Sequence, residues 1–250
     1  MKKRLDLWLV ESGKVSSRTK AQDLIKSGSV WVDGQQILSP STNVLETNSI
    51  EIRPSELEKY VSRGGLKLEG ALDQLKMDVK NLQVLDVGIS TGGFTDCLLK
   101  RGAAQVVGVD VGHGQLHPQL QKESRVSLLE GVNARELDRN EVLKAQQPSK
   151  GWPLIVVDVS FISLVLVLPA LEPLLSSQGS ILALVKPQFE VGPEGLGKGG
   201  VVKEVFLYAQ VETKIRQKCL ELNLTVRDYL ESPIEGKDGN REFFILAQKK

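Results

Sequence analysis

Six short apolar runs constrain this chain more than any other feature. They are VLDVG (84–88), AQVVGVD (104–110), VSLLE (126–130), LIVVDVS (154–160), ILALVK (181–186) and FFILAQ (243–248). Runs of aliphatic residues without polar alternation read as strands buried on both faces. Helical patterns over 94–101, 162–176 and 203–222 separate several of them. Strands covered on both sides and joined through helices predict a mostly parallel α/β sheet of the Rossmann-like kind. Ligands of such sheets bind at the carboxyl ends of the strands, so polar residues there are the candidates for chemistry.

Residues 1 to about 53 have a different character. RLDLWLVESG places Leu5, Trp8 and Leu9 at helical spacing and stops at Gly13. SSRTKAQDLIKSG begins with Ser16 or Ser17 as an N-cap, carries Ala21, Leu24 and Ile25 on one face, and ends at Gly28. VWV and QQIL follow, separated by the hairpin signal Asp33-Gly34, with NSIEIR as a closing strand. The expectation is a small α+β domain of two short helices on a small sheet. RPSELEKYV (53–61), with Pro54, reads as a linker, giving domains 1–58 and 59–250.

The formal net charge is only +1, so no global field singles out nucleic acid as a partner. The distribution is more informative. Residues 1–30 hold Lys2, Lys3, Arg4, Lys14, Arg18, Lys20 and Lys26 against Asp6, Glu11 and Asp23. Ser17, Arg18, Lys20 and Lys26 on the second helix, together with Arg4, suit phosphate contacts on a structured RNA. A solvated helix face explains the same charges without a partner.

The stretch VLDVGISTGGFTD (84–96) contains GISTG, a literal nucleophile-elbow pattern centred on Ser90. A hydrolase of that type needs an acid and then a histidine later in the chain. The two histidines present, His113 and His117, lie soon after the serine, so the elbow reading fails. Nor do Gly112, Gly114 and Pro118 allow the regular helix that a metal-binding pair four residues apart needs, and no third ligand is evident. A dinucleotide fingerprint and a P-loop are also missing, since Phe94 stands where the P-loop lysine belongs. What remains is Asp86-x-Gly88-x-Ser90-x-Gly92-Gly93-Phe94 opening a helix, a form that holds S-adenosylmethionine, with all six named residues as cofactor candidates. Asp86 organises the cationic methionine end, and Asp110 at the end of the second strand accepts from ribose hydroxyls. Asn133 lines the adenine pocket.

Asp158 and Lys186 end two neighbouring apolar strands, where charges are costly unless paired or functional. They are either a salt bridge closing the sheet end or part of a site. Glu242 stands at the entrance to the last strand. PQFEVGPEGLGKGGVV (187–202) is glycine-rich and suits either a flexible connection or a lid, with Lys198 in reach of phosphate. Cys97 and Cys219 form neither a metal motif nor a disulfide framework, which predicts a reducing cytoplasm. The start MKKRLDLWLVES has no continuous apolar core. The most apolar run, 161–175, is broken by Pro169 and Glu172, so no membrane association is expected.

The first part of the chain, RLDLWLVESGKVSSRTKAQDLIKSGSVWVDG, resembles the small RNA-binding module of a ribosomal small-subunit protein. As a whole the chain resembles the TlyA, or hemolysin A, family. YVSRGGLKLEGAL, VLDVGISTGGFTDCLL, VGVDVGHGQL, VVDVSFISL, LVKPQFEVG, KGGVV and NREFF carry that resemblance. The family's second domain is similar to FtsJ-type ribose methyltransferases with a class I methyltransferase sheet. The resemblance implies transfer of methyl from S-adenosylmethionine to a ribose 2′-hydroxyl of ribosomal RNA, with cytidine as target and ribosomal subunits or their RNA as partners. It also implies a Lys-Asp-Lys-Glu tetrad at Lys67, Asp158, Lys186 and Glu242, with Glu235 the rival for the last place. In that tetrad Lys186 is the base, Lys67 lowers its pKa and positions the ribose, and the acids orient the lysines. His113 stands where many relatives carry tyrosine. Two other readings are a membrane-active hemolysin, after the family's second name, and a non-catalytic RNA-binding ribosome factor.

Overall fold

A computed structural model of the chain describes residues 2–53, 59–236 and 239–250. It divides into two compact units, Met1–Arg63 and Gly64–Lys250. Pro54 and the expected boundary at residue 58 lie outside the described residues.

The first unit contains β1 (Lys2–Arg4), α1 (Leu5–Glu11), α2 (Arg18–Lys26), β2 (Val30–Val32), β3 (Gln35–Gln36), β4 (Asn43–Leu45) and β5 (Ile50–Ile52). β1 pairs with β4, and β2 is the centre of an antiparallel β3-β2-β5 sheet. Asp33 and Gly34 both take positive φ (49° and 79°), the twist that a two-residue hairpin turn requires. Ser17 is the N-cap of α2, its hydroxyl accepting from the Lys20 amide at 3.3 Å. Leu5, Leu9, Ala21, Ile25 and Val30 are fully buried and form the small core.

Asp6 is also fully buried. Its carboxylate accepts from Arg4 Nε and Nη2, both at 3.0 Å, from Arg18 Nε at 3.1 Å and from Gln22 Nε2 at 3.0 Å. The Arg4 guanidinium above all, with Gln22 and Arg18, holds this carboxyl far below its usual range against the opposing effect of burial. One acid therefore ties the β1 end to α2.

The second unit runs α3 (Gly64–Gln74), β6 (Gln83–Val87), α4 (Gly93–Lys100), β7 (Gln105–Asp110), α5 (Pro118–Gln121), β8 (Val126–Glu130), α6 (Glu141–Gln146), β9 (Trp152–Val157), α7 (Leu164–Leu171), β10 (Leu175–Val185), α8 (Val205–Glu221), β11 (Leu224–Glu231) and β12 (Phe243–Lys249). Seven strands form one sheet in the order β11-β12-β10-β9-β6-β7-β8. From β10 to β8 all pairs are parallel, while β12 runs antiparallel to both neighbours. The central strands are buried along their length, as Val87, Ile155, Val157, Ile181 and Ala183 show. The order reverses at β6 and β9, and their carboxyl ends carry the polar residues.

All six apolar runs fall in strands. The seventh strand, β11, escaped the sequence pattern because a bulge between Val226 and Asp228 breaks its alternation. The helix expected over 162–176 is shorter: α7 stops at Leu171 and a 3₁₀ turn, Glu172–Leu174, leads into β10. Pro173 lacks the N–H that would continue the helical ladder. The glycine-rich stretch 187–202 is no loose tether. It forms three short 3₁₀ turns, Leu196 bridges Val202, and the buried Asn240 side chain holds both Val202 N and Gly200 O at 3.0 Å. No helix among the described residues is long and apolar enough to cross a membrane.

The Asp6 network predicts a measurable loss. Asp6→Ala leaves two guanidiniums without their carboxylate, and because both are half-exposed the expected cost to the first unit is about 2 kcal/mol. Trp8 and Trp31 lie in this unit and Trp152 in the other, so urea unfolding followed by tryptophan fluorescence reports it. An unmoved midpoint would show that the network contributes nothing.

Candidate active site

The turn between β6 and α4 is built on backbone that most residues avoid. Gly88, Ser90 and Gly92 have φ of 86°, 47° and 93°. At Gly88 there is no room either: a Cβ would lie 2.4 Å from the carbonyl oxygen of Asp158. The end of β6 therefore presses against the end of β9, and a cavity opens beside the contact. Its volume is 460 Å³, within the range of small-molecule sites. Gly88, Ser90, Asp110, Asn133, Asp158 and Phe161 are among its lining residues.

Asp110 spans the turn. Its Oδ2 accepts from the Ser90 amide and its Oδ1 from the Gly112 amide, both at 2.8 Å. Each oxygen keeps a lone pair for a further donor. Ser90 Oγ donates to Gln115 Oε1 at 3.2 Å, so the elbow serine is engaged in the turn. Asn133 Oδ1 accepts from the Arg135 amide at 3.0 Å. Val109, Val111 and Val132 supply apolar wall. Acceptors on one side and aliphatic surface on the other fit the ribose and adenine of a nucleoside cofactor.

Other expected cofactor residues stand behind this wall. Asp86 is 1% exposed and does not line the cavity; its Oδ2 accepts from Thr95 Oγ1 at 2.6 Å. Burial pushes its carboxyl up to about 7, with Asp158 and Asp110 adding and the Thr95 bonds opposing. Phe94 is buried against Phe244, ring centroids 6.1 Å apart, and Gly92 and Gly93 form the start of α4. These residues shape the turn from beneath.

Two lysine–carboxylate pairs occupy the same edge of the sheet. Lys186, directly after β10, places Nζ 2.6 Å from Asp158 Oδ1 and 2.8 Å from Ser160 Oγ. Lys67 of α3 is buried and donates to Glu242 Oε2 at 2.5 Å, with Glu242 only 3% exposed. Glu235 is exposed and is not the carboxylate bonded to Lys67. Gln188, in the 3₁₀ turn Pro187–Phe189, donates Nε2 to Glu242 Oε1 at 3.3 Å. Gly70 makes the Lys67 pairing possible. It lies one turn beyond Lys67, and a Cβ there would meet Pro233 Cγ at 2.5 Å, so α3 packs directly on the loop that leads to Glu242.

Sequence reasoning passed over several site residues. Phe161 is 91% exposed at the cavity rim with φ of 62°, and its ring meets that of Phe189 at 5.2 Å. A bulky residue in that conformation is uncommon, and no spacing rule announces it. Gln115 and Ser160 also went unnoticed. Of the basic candidates, Lys20, Lys26 and Lys198 are exposed, Arg4 and Arg18 are bound to Asp6, and the Ser17 hydroxyl serves as a cap.

Comparison with known proteins defines the class. Residues 60–249 match the family model for FtsJ-like methyltransferases, and residues 3–50 match that for S4 domains. The 16S/23S rRNA (cytidine-2′-O)-methyltransferase TlyA of Mycobacterium tuberculosis is 41% identical over 97% of this chain and 88% of its own length. Hemolysin A of Brachyspira hyodysenteriae is 38% identical over 96% and 97% of the two chains. A solved Streptococcus thermophilus structure that carries a hemolysin label is 36% identical, covers 100% of this chain and 89% of that one, and superposes with a TM-score of 0.74. The chain belongs to the TlyA, or hemolysin A, family of FtsJ-like methyltransferases with an N-terminal S4 domain.

The raised Asp86 value has a signed consequence. Between its ordinary 3.8 and about 7, the folded chain keeps a proton on Asp86 that the unfolded chain has released. The contribution of this group to stability is therefore greatest below that window and falls as pH rises through it. Thermal midpoints of the parent should decline across the window more steeply than those of Asp86→Asn. Parallel curves would refute the assignment.

Proposed function

We propose that this protein transfers a methyl group from S-adenosylmethionine to a ribose 2′-hydroxyl of ribosomal RNA, with cytidine as the nucleoside. The observation that carries this reading is the pair of lysine–carboxylate contacts on one sheet edge, Lys67–Glu242 and Lys186–Asp158, with Asp158 also lining the cavity suited to a nucleoside. The name of the M. tuberculosis relative supports the substrate, and the S4 match supports an RNA grip in the first unit. A ribosomal substrate makes the cytoplasm its place of work.

The cofactor, when bound, supplies a methyl group on a cationic sulfur. The remaining work falls to the chain. Lys186 in its neutral form takes the proton of the 2′-hydroxyl as that oxygen attacks. Asp158 and Ser160, at 2.6 and 2.8 Å, hold its nitrogen in place. Lys67, fixed by Glu242, positions the ribose. Asp110 receives the cofactor's ribose hydroxyls and Asn133 its adenine, while Gly88 lets the backbone pass close. Phe161 offers an exposed aromatic face on which a nucleobase stacks. Arg4, Ser17, Arg18, Lys20, Lys26 and Lys198 contact RNA phosphates, the two arginines through the N–H groups that Asp6 leaves unused.

The deciding experiment measures transfer of labelled methyl from S-adenosylmethionine to ribosomal subunits lacking the modification. Label should appear on ribose, and Lys186→Ala should lower the rate by about 10²–10⁴-fold, the usual worth of a positioned base. Undiminished transfer by the variant would remove Lys186 from its role, and no transfer by the parent to either subunit or to free RNA would remove the substrate.

A further inference from the structure

We infer that Gln188 is a positioning residue of the methyl-transfer site, holding the Glu242 carboxylate in the orientation that presents Lys67; the inference rests on the function proposed above. A carboxylate has two oxygens, and a buried one is fixed only when both are engaged. Lys67 takes Oε2 and the Gln188 amide takes Oε1. Without Gln188, the Glu242 carboxylate keeps the Lys67 bond on Oε2 and loses the amide donor on Oε1, so its plane has one fixed point fewer.

The orientation of the amide is forced. Turned over, its oxygen would face the carboxylate, so the N–H must point at Glu242. The consequence is that Gln188 Oε1 is buried and has no hydrogen-bond partner among the described residues. Folded proteins leave few buried acceptors in that state, because the lost hydration is not replaced. A methionine would fill the same space without the orphaned oxygen. The amide is thus a poor choice for stability and a suitable one for holding Glu242.

Its backbone is equally constrained. Gln188 follows Lys186 by two residues, with the rigid Pro187 between them. Two residues later, Glu190 accepts from the Leu164 amide and Ser163 Oγ, both at 2.6 Å, and from Lys214 Nζ at 2.9 Å. That carboxylate ties the turn to the start of α7 and to α8. Gln188 therefore projects from a backbone anchored on both sides, and it links the element that carries Lys186 to the pair that carries Lys67.

The test compares kcat, KM and thermal midpoint for Gln188→Met, Gln188→Glu and Lys186→Ala, with labelled S-adenosylmethionine and unmodified ribosomal subunits. Gln188→Met should lower kcat by about ten- to a hundredfold, the scale of a small misplacement of a reacting group. Its KM values should stay within about twofold, as for a group that acts on the chemical step. Its midpoint should hold, since the lost contact to Glu242 is offset by removal of the orphaned acceptor. Gln188→Glu keeps the size, loses the donor and sets a second carboxylate against Glu242, so its kcat should fall at least as far. Full kcat in Gln188→Met overturns the inference, as does a loss of activity that only follows a lowered midpoint in both variants. If Lys186→Ala retains full transfer, the site reading itself fails; if it is inactive while Gln188→Met is fully active, only the inference about Gln188 fails.

Discussion

The close approach of Gly88 to the Asp158 carbonyl is the constraint on which the rest of the site depends. A side chain at residue 88 would push β6 from β9 at the point where the strand order reverses. The glycine turn, the cavity and the Lys186–Asp158 pair would then separate together. With glycine there, the turn that suits a nucleoside and the strand end that carries the acid lie within one contact of each other. Binding and chemistry share a backbone junction, which costs little to preorganise once the sheet has formed.

From that junction the site extends through charged groups that the apolar interior tolerates only in pairs. Lys186 comes with Asp158, Lys67 with Glu242, and Glu190 with Lys214. Asp86 is the exception. It is fully enclosed, with Thr95 as its hydrogen-bond donor, and burial raises its pKa to about 7. A buried carboxyl without a cation beside it keeps its proton to higher pH, because burial disfavours the charged form and no ion pair opposes that.

What could be read from the sequence follows from the range of the interactions. The six apolar runs announced their strands because continuous burial leaves a local signature, and the Asp33-Gly34 turn did the same for its hairpin. The bulged β11 left none, since one extra residue shifts every later side chain to the other face. Asp6 entered the sequence only as one acid in the charge count: Arg4 lies two residues away, but Arg18 and Gln22, which complete the network, lie 12 and 16 residues away. Lys67 and Glu242 are 175 residues apart, and only the family resemblance brought them together before the fold did. Phe94 sits in the glycine motif yet faces the core, because a helix start offers only some of its positions to the ligand side. Gln188 left no local signature, since Glu242, the group its amide donates to, lies 54 residues away.

A physical argument connects these features. Replacing a buried ion pair by apolar side chains of similar volume is often neutral or stabilising. By that measure the Lys67–Glu242 pair is weak evidence of a role in stability. Gly88 and Gly70 make the opposite point: they are required by backbone and loop contacts that exist only because these strands and this helix come so near. Close packing in this part of the chain thus brings charge together where hydrophobic burial alone would have kept it out. The geometry that results, two lysines each held by an acid on one edge of the sheet, is the arrangement on which the proposed proton transfer rests.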